Sequence, residues 1–178
     1  MNHVVALVGM CGAGKSVVSD YYKEKDYAYI HFGAITMEEI EKRGLEVNEK
    51  NEKAVRESLR EDHGMAAFAV LNLPKIEDAL GETNVIVDGL YSWSEYCVLR
   101  EKFSDQLKVL AVFTPREVRY SRLAARSHRP LNADEARGRD YAEIENIEKG
   151  GPIAMADYTV VNDSDVDALR ARLDMLTY

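Results

Sequence analysis

A glycine-rich segment at residues 9–16, which reads GMCGAGKS, leaves few folds open to this chain. It follows an apolar run at residues 4–8 that is typical of a strand buried on both faces, and helical spacing begins at Ser16. Glycines let the backbone curl so that successive N–H groups point inward at an anion, and the positive end of the next helix faces the same place. The segment therefore predicts a phosphate-binding loop between a strand and a helix.

The spacing of this segment is that of G-x-x-x-x-G-K-[ST], in which each polar position has a task. We expect Lys15 to reach the β- and γ-phosphates of a nucleoside triphosphate and the Ser16 hydroxyl to bind Mg²⁺. Cys11 lies beside Lys15 and a helix terminus, which would favour the thiolate; a passive small side chain is an equally good interpretation. The predicted nucleotide-binding residues here are Gly9, Cys11, Gly12, Ala13, Gly14, Lys15, Ser16 and Val17.

Strand and helix patterns alternate along the rest of the chain. Residues 36–80 are predicted to form a helical insert, Thr114 to cap the helix after the fourth strand, and residues 150–152 to form a turn. This alternation predicts one α/β domain, residues 1–178, with a mostly parallel sheet covered by helices on both faces. The further predicted strands lie at residues 27–32, 84–89, 107–113 and 158–161.

Asp88 ends the apolar run of the third predicted strand. Ligands of open α/β sheets bind at the carboxyl ends of the strands, so this carboxylate is placed to meet a phosphate. We interpret it as a magnesium-organising group, acting through water, or as the base on an attacking hydroxyl. The alternative is structural, because Asp-Gly is also a common turn pair.

Charge is unevenly distributed along the 178 residues. The formal net charge is −8, which disfavours a broad surface for nucleic acid or anionic membrane. Seven of the thirteen arginines nevertheless lie between Arg116 and Arg139, where there is no lysine and only three acidic residues. A basic segment in an acidic protein requires a local explanation.

Four of these arginines recur at intervals of three or four, so they would share one face of a helix: Arg119, Arg122, Arg126 and Arg129. Like charges at that spacing repel by roughly a few tenths of a kcal/mol per pair, and an anionic ligand would relieve the repulsion. Because guanidinium groups recognise phosphate with several donors, we expect Arg122 and Arg126 to contact a triphosphate. A solvated face is our interpretation of Arg116.

A small lid is predicted at about residues 127–150, after the Arg129-Pro130 break. Its second helix would carry Arg137 and Arg139 toward the nucleotide, where closure would exclude water. Together with Arg129 they are the predicted lid arginines. The predicted catalytic residues are Lys15, Asp88, Arg122 and Arg126, with Ser16 and Asp88 as the magnesium ligands.

Two cysteines are too few for a disulfide framework. The first residues lack the basic segment and the long apolar run of a signal peptide, and no apolar stretch is long enough to span a membrane. We therefore expect a cytoplasmic protein, a monomer or homodimer, without membrane or nucleic-acid partners.

Four segments together resemble the P-loop nucleoside-monophosphate kinases, in particular the dephospho-CoA kinase and archaeal adenylate-kinase-related branch. They are the loop at residues 9–16, the edge at residues 87–89, the Arg-Leu-x-x-Arg pattern at residues 122–126 and the late segment at residues 156–162. The resemblance covers nearly the whole chain. It implies a three-layer fold around a five-stranded parallel sheet in the order 2-3-1-4-5, with helices on both faces.

The same resemblance implies that ATP and Mg²⁺ are bound. It places Arg122 against adenine, Asn162 near the base, and Arg126 and Arg139 over the transferred phosphate. These are implications of the family pattern for the matching residues.

The acceptor side departs from that pattern. Related kinases carry Gly-Asp-x-x-Arg after the second strand, whereas this chain has Ala34 and Met37 in place of the carboxylate and the arginine. The archaeal relatives carry a second arginine just after Asp-Gly, where this chain has Leu90 and Tyr91. Arg56 and Arg60, on the helical insert, are the candidates to substitute.

Two hypotheses follow. The first is an Mg-ATP-dependent kinase whose small-molecule acceptor is nucleotide-like or a CoA precursor. The second is a nucleotide-binding regulatory protein, or a weak ATPase, that has lost efficient acceptor phosphorylation. The residues at positions 34, 37 and 91 motivate the second.

Overall fold

The computed structural model describes residues 1–127 and 129–178; His128, in the predicted lid, lies outside the described residues. Five strands form one parallel sheet in the order β2-β3-β1-β4-β5, which confirms the expected topology. Leu7 pairs with both Asp88 and Leu110, so the carboxyl ends of β1, β3 and β4 meet at one edge. The strands are β1 (Val4–Val8), β2 (Ala28–His31), β3 (Val85–Asp88), β4 (Leu107–Phe113) and β5 (Tyr158–Val161).

Helices cover both faces of this sheet. Strand β1 explains why, since all five of its residues are fully buried and alternate between two apolar clusters. One cluster packs the sheet against α2–α5, the other against α1 and α9. The helices are α1 (Lys15–Lys23), α2 (Ala34–Lys42), α3 (Glu49–His63), α4 (Ala67–Glu82), α5 (Trp93–Phe103), α6 (Arg116–Ala124), α7 (Ala133–Glu145), α8 (Gly150–Ala154) and α9 (Val166–Asp174).

The predicted arginine stripe is only partly correct. Helix α6 ends at Ala124, so Arg126 and Arg129 lie beyond it. The chain reverses there: Arg129 has a positive φ of 50°, and the Leu131 N–H donates to the carbonyl of Leu123 at 3.1 Å. Only the first two arginines of the stripe therefore share a helix face.

Two local predictions also need correction, and one helix was missed. Pro115, not Thr114, is the cap residue of α6, because the Thr114 hydroxyl is used on other backbone carbonyls. Residues 150–152 open the short helix α8 rather than a turn. Helix α5 was not predicted, although Ser92 and Glu95 form a capping box at its start.

Within residues 1–127 and 129–178, none of the helices has the length and apolar character needed to cross a membrane.

Candidate active site

The phosphate loop joins β1 to α1, and its glycines are required by its shape. The φ angle is 152° at Gly9, 82° at Gly12 and 92° at Gly14. A Cβ atom at Gly14 would lie 2.2 Å from Nδ2 of Asn162, and one at Gly9 would lie 2.6 Å from the Val112 carbonyl oxygen. Backbone conformation and space thus both exclude larger residues at these two positions.

Two buried side chains from the ends of β4 and β5 hold the loop against the sheet. Asn162 donates from Nδ2 to the Ala13 carbonyl at 2.8 Å, and the Thr114 hydroxyl lies 3.0 Å from the same oxygen. The Thr114 hydroxyl is also 2.9 Å from the carbonyl of Asn162. Asn162 thus holds the loop in place. The sequence did not indicate this contact.

Arg119 has a partner that the sequence analysis did not anticipate. Its guanidinium is buried and binds Asp140 of α7 with two bonds of 2.8 and 2.7 Å, and it also donates to the Cys11 carbonyl at 3.0 Å. A carboxylate of the chain itself, rather than the expected anionic ligand, balances the charge of Arg119. The pair joins α6, α7 and the loop.

A cavity of about 400 Å³ opens at the loop and collects most of the predicted site. Its lining carries five cationic side chains and two carboxylates, an excess of three positive charges in a protein whose net charge is −8. Such a concentration favours a polyanion such as a triphosphate. The lining residues are Cys11, Gly12, Gly14, Lys15, Ser16, Asp88, Tyr91, Arg122, Arg126, Arg139, Glu143 and Lys149.

Lys15 lies at the base of this cavity, folded onto its own loop. Its Nζ donates to the Gly9 carbonyl at 2.8 Å and to that of Met10 at 3.4 Å. Burial, and then the neighbouring charge of Lys149, lower the pKa of Lys15 to about 8. The two loop carbonyls hold the ammonium in place at the cavity wall.

Ser16 and Asp88 bring two hard oxygen groups to the cavity. Asp88 ends β3 and accepts bonds from Ser19 at 3.2 Å and Tyr29 at 3.4 Å, both on Oδ2. Among the described residues, no three His, Cys, Asp or Glu side chains gather as a metal cage. A hydroxyl with one carboxylate is instead the kind of sparse donor set that suits Mg²⁺, which keeps waters and takes further oxygens from phosphates.

Arg122 connects α6 to the segment after β5. Its Nη1 donates to the Asn162 carbonyl at 3.2 Å, and Nη2 lies 3.4 Å from Oδ1 of the same residue. The side chain lines the cavity beside Gly14. Arg122 is thus held at the loop by the residue that holds the loop.

Two charged residues of the cavity were missed by sequence reasoning, Glu143 and Lys149. Glu143 follows Arg139 by four residues on α7, a spacing that could have indicated an ion pair. Lys149 comes just before α8, and no local pattern marks it. Their Nζ to Oε2 distance is 2.8 Å, and both side chains are nearly buried.

Several predicted residues lie outside the cavity lining. Gly9, Ala13 and Val17 belong to the loop or the first turn of α1, and Asn162 lies behind the loop. Arg129 pairs with Glu49 of α3 at 3.3 Å, and the exposed Arg137 lies 3.8 Å from Asp134. Arg56 pairs with two glutamates of its own helix, and Arg60 lies over the Phe68 ring.

The fold and the loop together define a protein of the P-loop kinase fold. Solved structures of similar shape include TT1252 from Thermus thermophilus, with a TM-score of 0.63, 19% identity and coverage of 99% of both chains. A shikimate kinase from Bacteroides thetaiotaomicron gives a TM-score of 0.62 at 16% identity, covering 97% of this chain and 96% of its own. A gluconokinase from Sinorhizobium meliloti gives 0.58 at 15% identity, covering 96% and 88%.

The chain belongs to the AAA domain family, whose model matches residues 5–147, and to the UPF0200 proteins. It is 32% identical over 177 residues to the UPF0200 protein of Thermococcus onnurineus, covering 97% of this chain and 95% of that one. Identity to the UPF0200 protein of Pyrococcus furiosus is 34% over 178 residues, with the same coverage of 97% and 95%.

Proposed function

We propose that the protein is an Mg-ATP-dependent kinase that transfers the γ-phosphoryl group to a small acceptor, either nucleotide-like or a CoA precursor. The observation that carries the proposal is the convergence on one cavity of the loop lysine, the β3 carboxylate and three arginines: Lys15, Asp88, Arg122, Arg126 and Arg139. Phosphoryl transfer needs positioning and charge stabilisation more than covalent chemistry, and this set supplies both.

Transfer would break the bond between the γ-phosphorus and the β,γ-bridging oxygen and form a bond to an acceptor oxygen. Lys15 would leave its loop carbonyls for the phosphates, and the arginines would balance the charge of the transferred group. Ser16 and Asp88 would hold Mg²⁺, which when bound would supply positive charge against that of the phosphates. The two bonds to Asp88 among the described residues end on Oδ2, so Oδ1 would be the oxygen that takes the proton of an acceptor hydroxyl or holds Mg²⁺ through water.

The direct test incubates the protein with ATP, Mg²⁺ and a panel of nucleosides, nucleoside monophosphates and dephospho-CoA. We expect transfer to at least one acceptor, and a loss of about 10³-fold or more in kcat for Lys15→Met, because the loop lysine acts on the transferred charge. Lys102→Met is the matched control: Lys102 is an exposed lysine of α5, paired with Glu77, and its loss should leave kcat unchanged.

A nucleotide-binding regulatory protein or weak ATPase is the second candidate. It is favoured by Ala34 and Met37, which bring neither carboxylate nor cation to the start of α2. Tight ATP binding without transfer to any acceptor would favour the regulatory protein, and release of free phosphate alone would favour the ATPase. Either result would refute the kinase proposal.

A further inference from the structure

Lys149 is a buried cation inside the phosphate cavity. The residue is 1% exposed and precedes α8, yet its side chain lines the same cavity as Lys15. A buried ammonium is costly unless other groups compensate its charge. Its Nζ lies 2.8 Å from Oε2 of Glu143 and 4.8 Å from the centre of the Tyr91 ring.

The Glu143 carboxylate collects three donors from different parts of the chain. Besides Lys149, it accepts the backbone N–H of Cys11 at 3.3 Å and lies 3.4 Å from Nε of Arg139. An N–H group of the phosphate loop, a lysine and an arginine thus surround one negative group. This is the donor set of an anion site, and an internal carboxylate occupies it.

The charge balance of the cavity argues against a purely structural ion pair. One carboxylate serves both Lys149 and Arg139, while Lys15 lines the same cavity as Lys149. Buried like charges are unfavourable without an anion between them. The excess of three positive charges on the cavity wall is therefore left for a ligand to neutralise.

We propose that Lys149 binds the γ-phosphoryl group, exchanging its contact with Glu143 for phosphoryl oxygens. Lys15 would hold the phosphates from the loop, and Lys149 would hold the transferred group from the side of Tyr91. Tyr91 and Glu143 are positioning residues. The Tyr91 ring lies under the Lys149 ammonium, and the Glu143 carboxylate forms an ion pair with it. The inference deepens the proposed function and rests on it.

Two available probes, ADP and the ATP analogue AMP-PNP, differ by the γ-phosphoryl group and the imido nitrogen that joins it to the β-phosphorus. Titration calorimetry with Mg²⁺ gives the Kd of each for the wild type and for Lys149→Met. We expect the wild type to bind AMP-PNP more tightly, and Lys149→Met to lose tenfold or more in affinity for AMP-PNP but less than twofold for ADP. Lys149→Arg should retain most of the preference, and Lys102→Met all of it.

The proposal is overturned if Lys149→Met weakens the binding of both nucleotides equally, or of neither. It is also overturned if the wild type binds the two nucleotides with equal affinity. Because Lys149→Met leaves Glu143 with a single cationic partner, the double variant Lys149→Met/Glu143→Gln removes both charges, and thermal melting shows whether each variant folds. The double variant should lose affinity for AMP-PNP but not for ADP, as Lys149→Met does. If neither variant folds, Lys149 is a structural residue and the inference is wrong.

The two proposals can fail separately. Absence of transfer by the wild type to any acceptor refutes the kinase, whereas the ADP and AMP-PNP comparison still decides the role of Lys149. With an active wild type, Lys149→Met should lower kcat by about 10²-fold, and loss of ADP binding alone would count against the inference.

Discussion

The phosphate loop and the α2–α4 helices differ in how completely their buried polar groups are paired. In the loop, the carbonyls of Ala13 and Cys11 and the ammonium of Lys15 all have protein partners. Within the described part of the chain, the buried side-chain polar atoms without a partner are Oγ1 of Thr36 and Nε of Arg60, both on the α2–α4 side. The contacts that hold the loop in place are made within the protein, whereas the α2–α4 helices contain buried polar atoms that a ligand could pair.

Arg60 connects this second region to the cavity. Its guanidinium lies 5.3 Å from the centre of the Phe68 ring, and its charge opposes the effect of burial on Glu95. Glu95 accepts the backbone N–H of Tyr91, which lines the cavity. If the protein is the proposed kinase, the loop side is the nucleotide half of the site and the α2–α4 side is the acceptor half, whose buried polar atoms the acceptor would pair.

The largest effect is expected from breaking the scaffold of the loop. Arg119→Met leaves the Asp140 carboxylate buried without its main partner, which should cost about 3–5 kcal/mol of unfolding free energy. Urea unfolding measures this. Arg119→Met/Asp140→Leu should recover most of the stability but not nucleotide affinity, because the Cys11 carbonyl still lacks its donor. Equal stability of the single variant and wild type would contradict the assignment.

A smaller effect is expected from Gly14→Ala. The new Cβ would meet Asn162 at 2.2 Å in a backbone conformation with φ of 92°, so the loop must shift and ATP affinity should fall by at least tenfold. Gly44→Ala is the matched control: its φ is 64°, but nothing lies within 4 Å of the added Cβ. It should cost about 1 kcal/mol of strain and leave ATP affinity unchanged, as titration calorimetry would show.

The acceptor half is tested by Arg60→Met. If Arg60 binds the acceptor, the acceptor KM should rise about tenfold while the Kd of ATP stays within twofold, since the loop contacts are untouched. Lys53→Met, an exposed lysine of the same helix paired with Glu57, is the control and should change neither value. If Arg60→Met weakened the binding of ATP and of the acceptor to the same extent, the distinction between the two halves would be wrong.

The remaining effect concerns pH. Burial raises the pKa of Glu95 to about 7, above its usual value of 4.5, so the folded protein holds a proton that the unfolded chain releases. Stability should therefore fall between pH 4.5 and 7 by roughly 1.4 kcal/mol per pH unit from this group. Burial lowers the pKa of His3, which acts in the opposite direction near its usual value of 6.5.

Glu95→Gln isolates the carboxyl from that background. Both N–H bonds to Glu95 end on Oε2, so the amide oxygen of glutamine can accept them. The difference in unfolding free energy between wild type and variant should slope with pH in the window from 4.5 to 7 and be flat above it. A pH-independent difference in this window would show that the folded and unfolded states bind the same number of protons at Glu95, so that burial does not raise its pKa.

Local features of the sequence determined much of this protein. The loop, the five strands and the carboxylate at the end of β3 depend on backbone conformation and on the alternation of apolar residues, which neighbouring residues set. The order of the strands followed from the family resemblance and was confirmed.

The pairing of charges was decided only by the tertiary structure. Glu143 meets the Cys11 N–H across 132 residues of chain, and Arg119 meets Asp140 across the break that ends the arginine stripe. Lys149 reaches the cavity from a position that no local pattern marks. The periodicity of a sequence does not predict the partner of a charged side chain. Its electrostatic free energy depends on which charges the fold brings within a few ångströms of it.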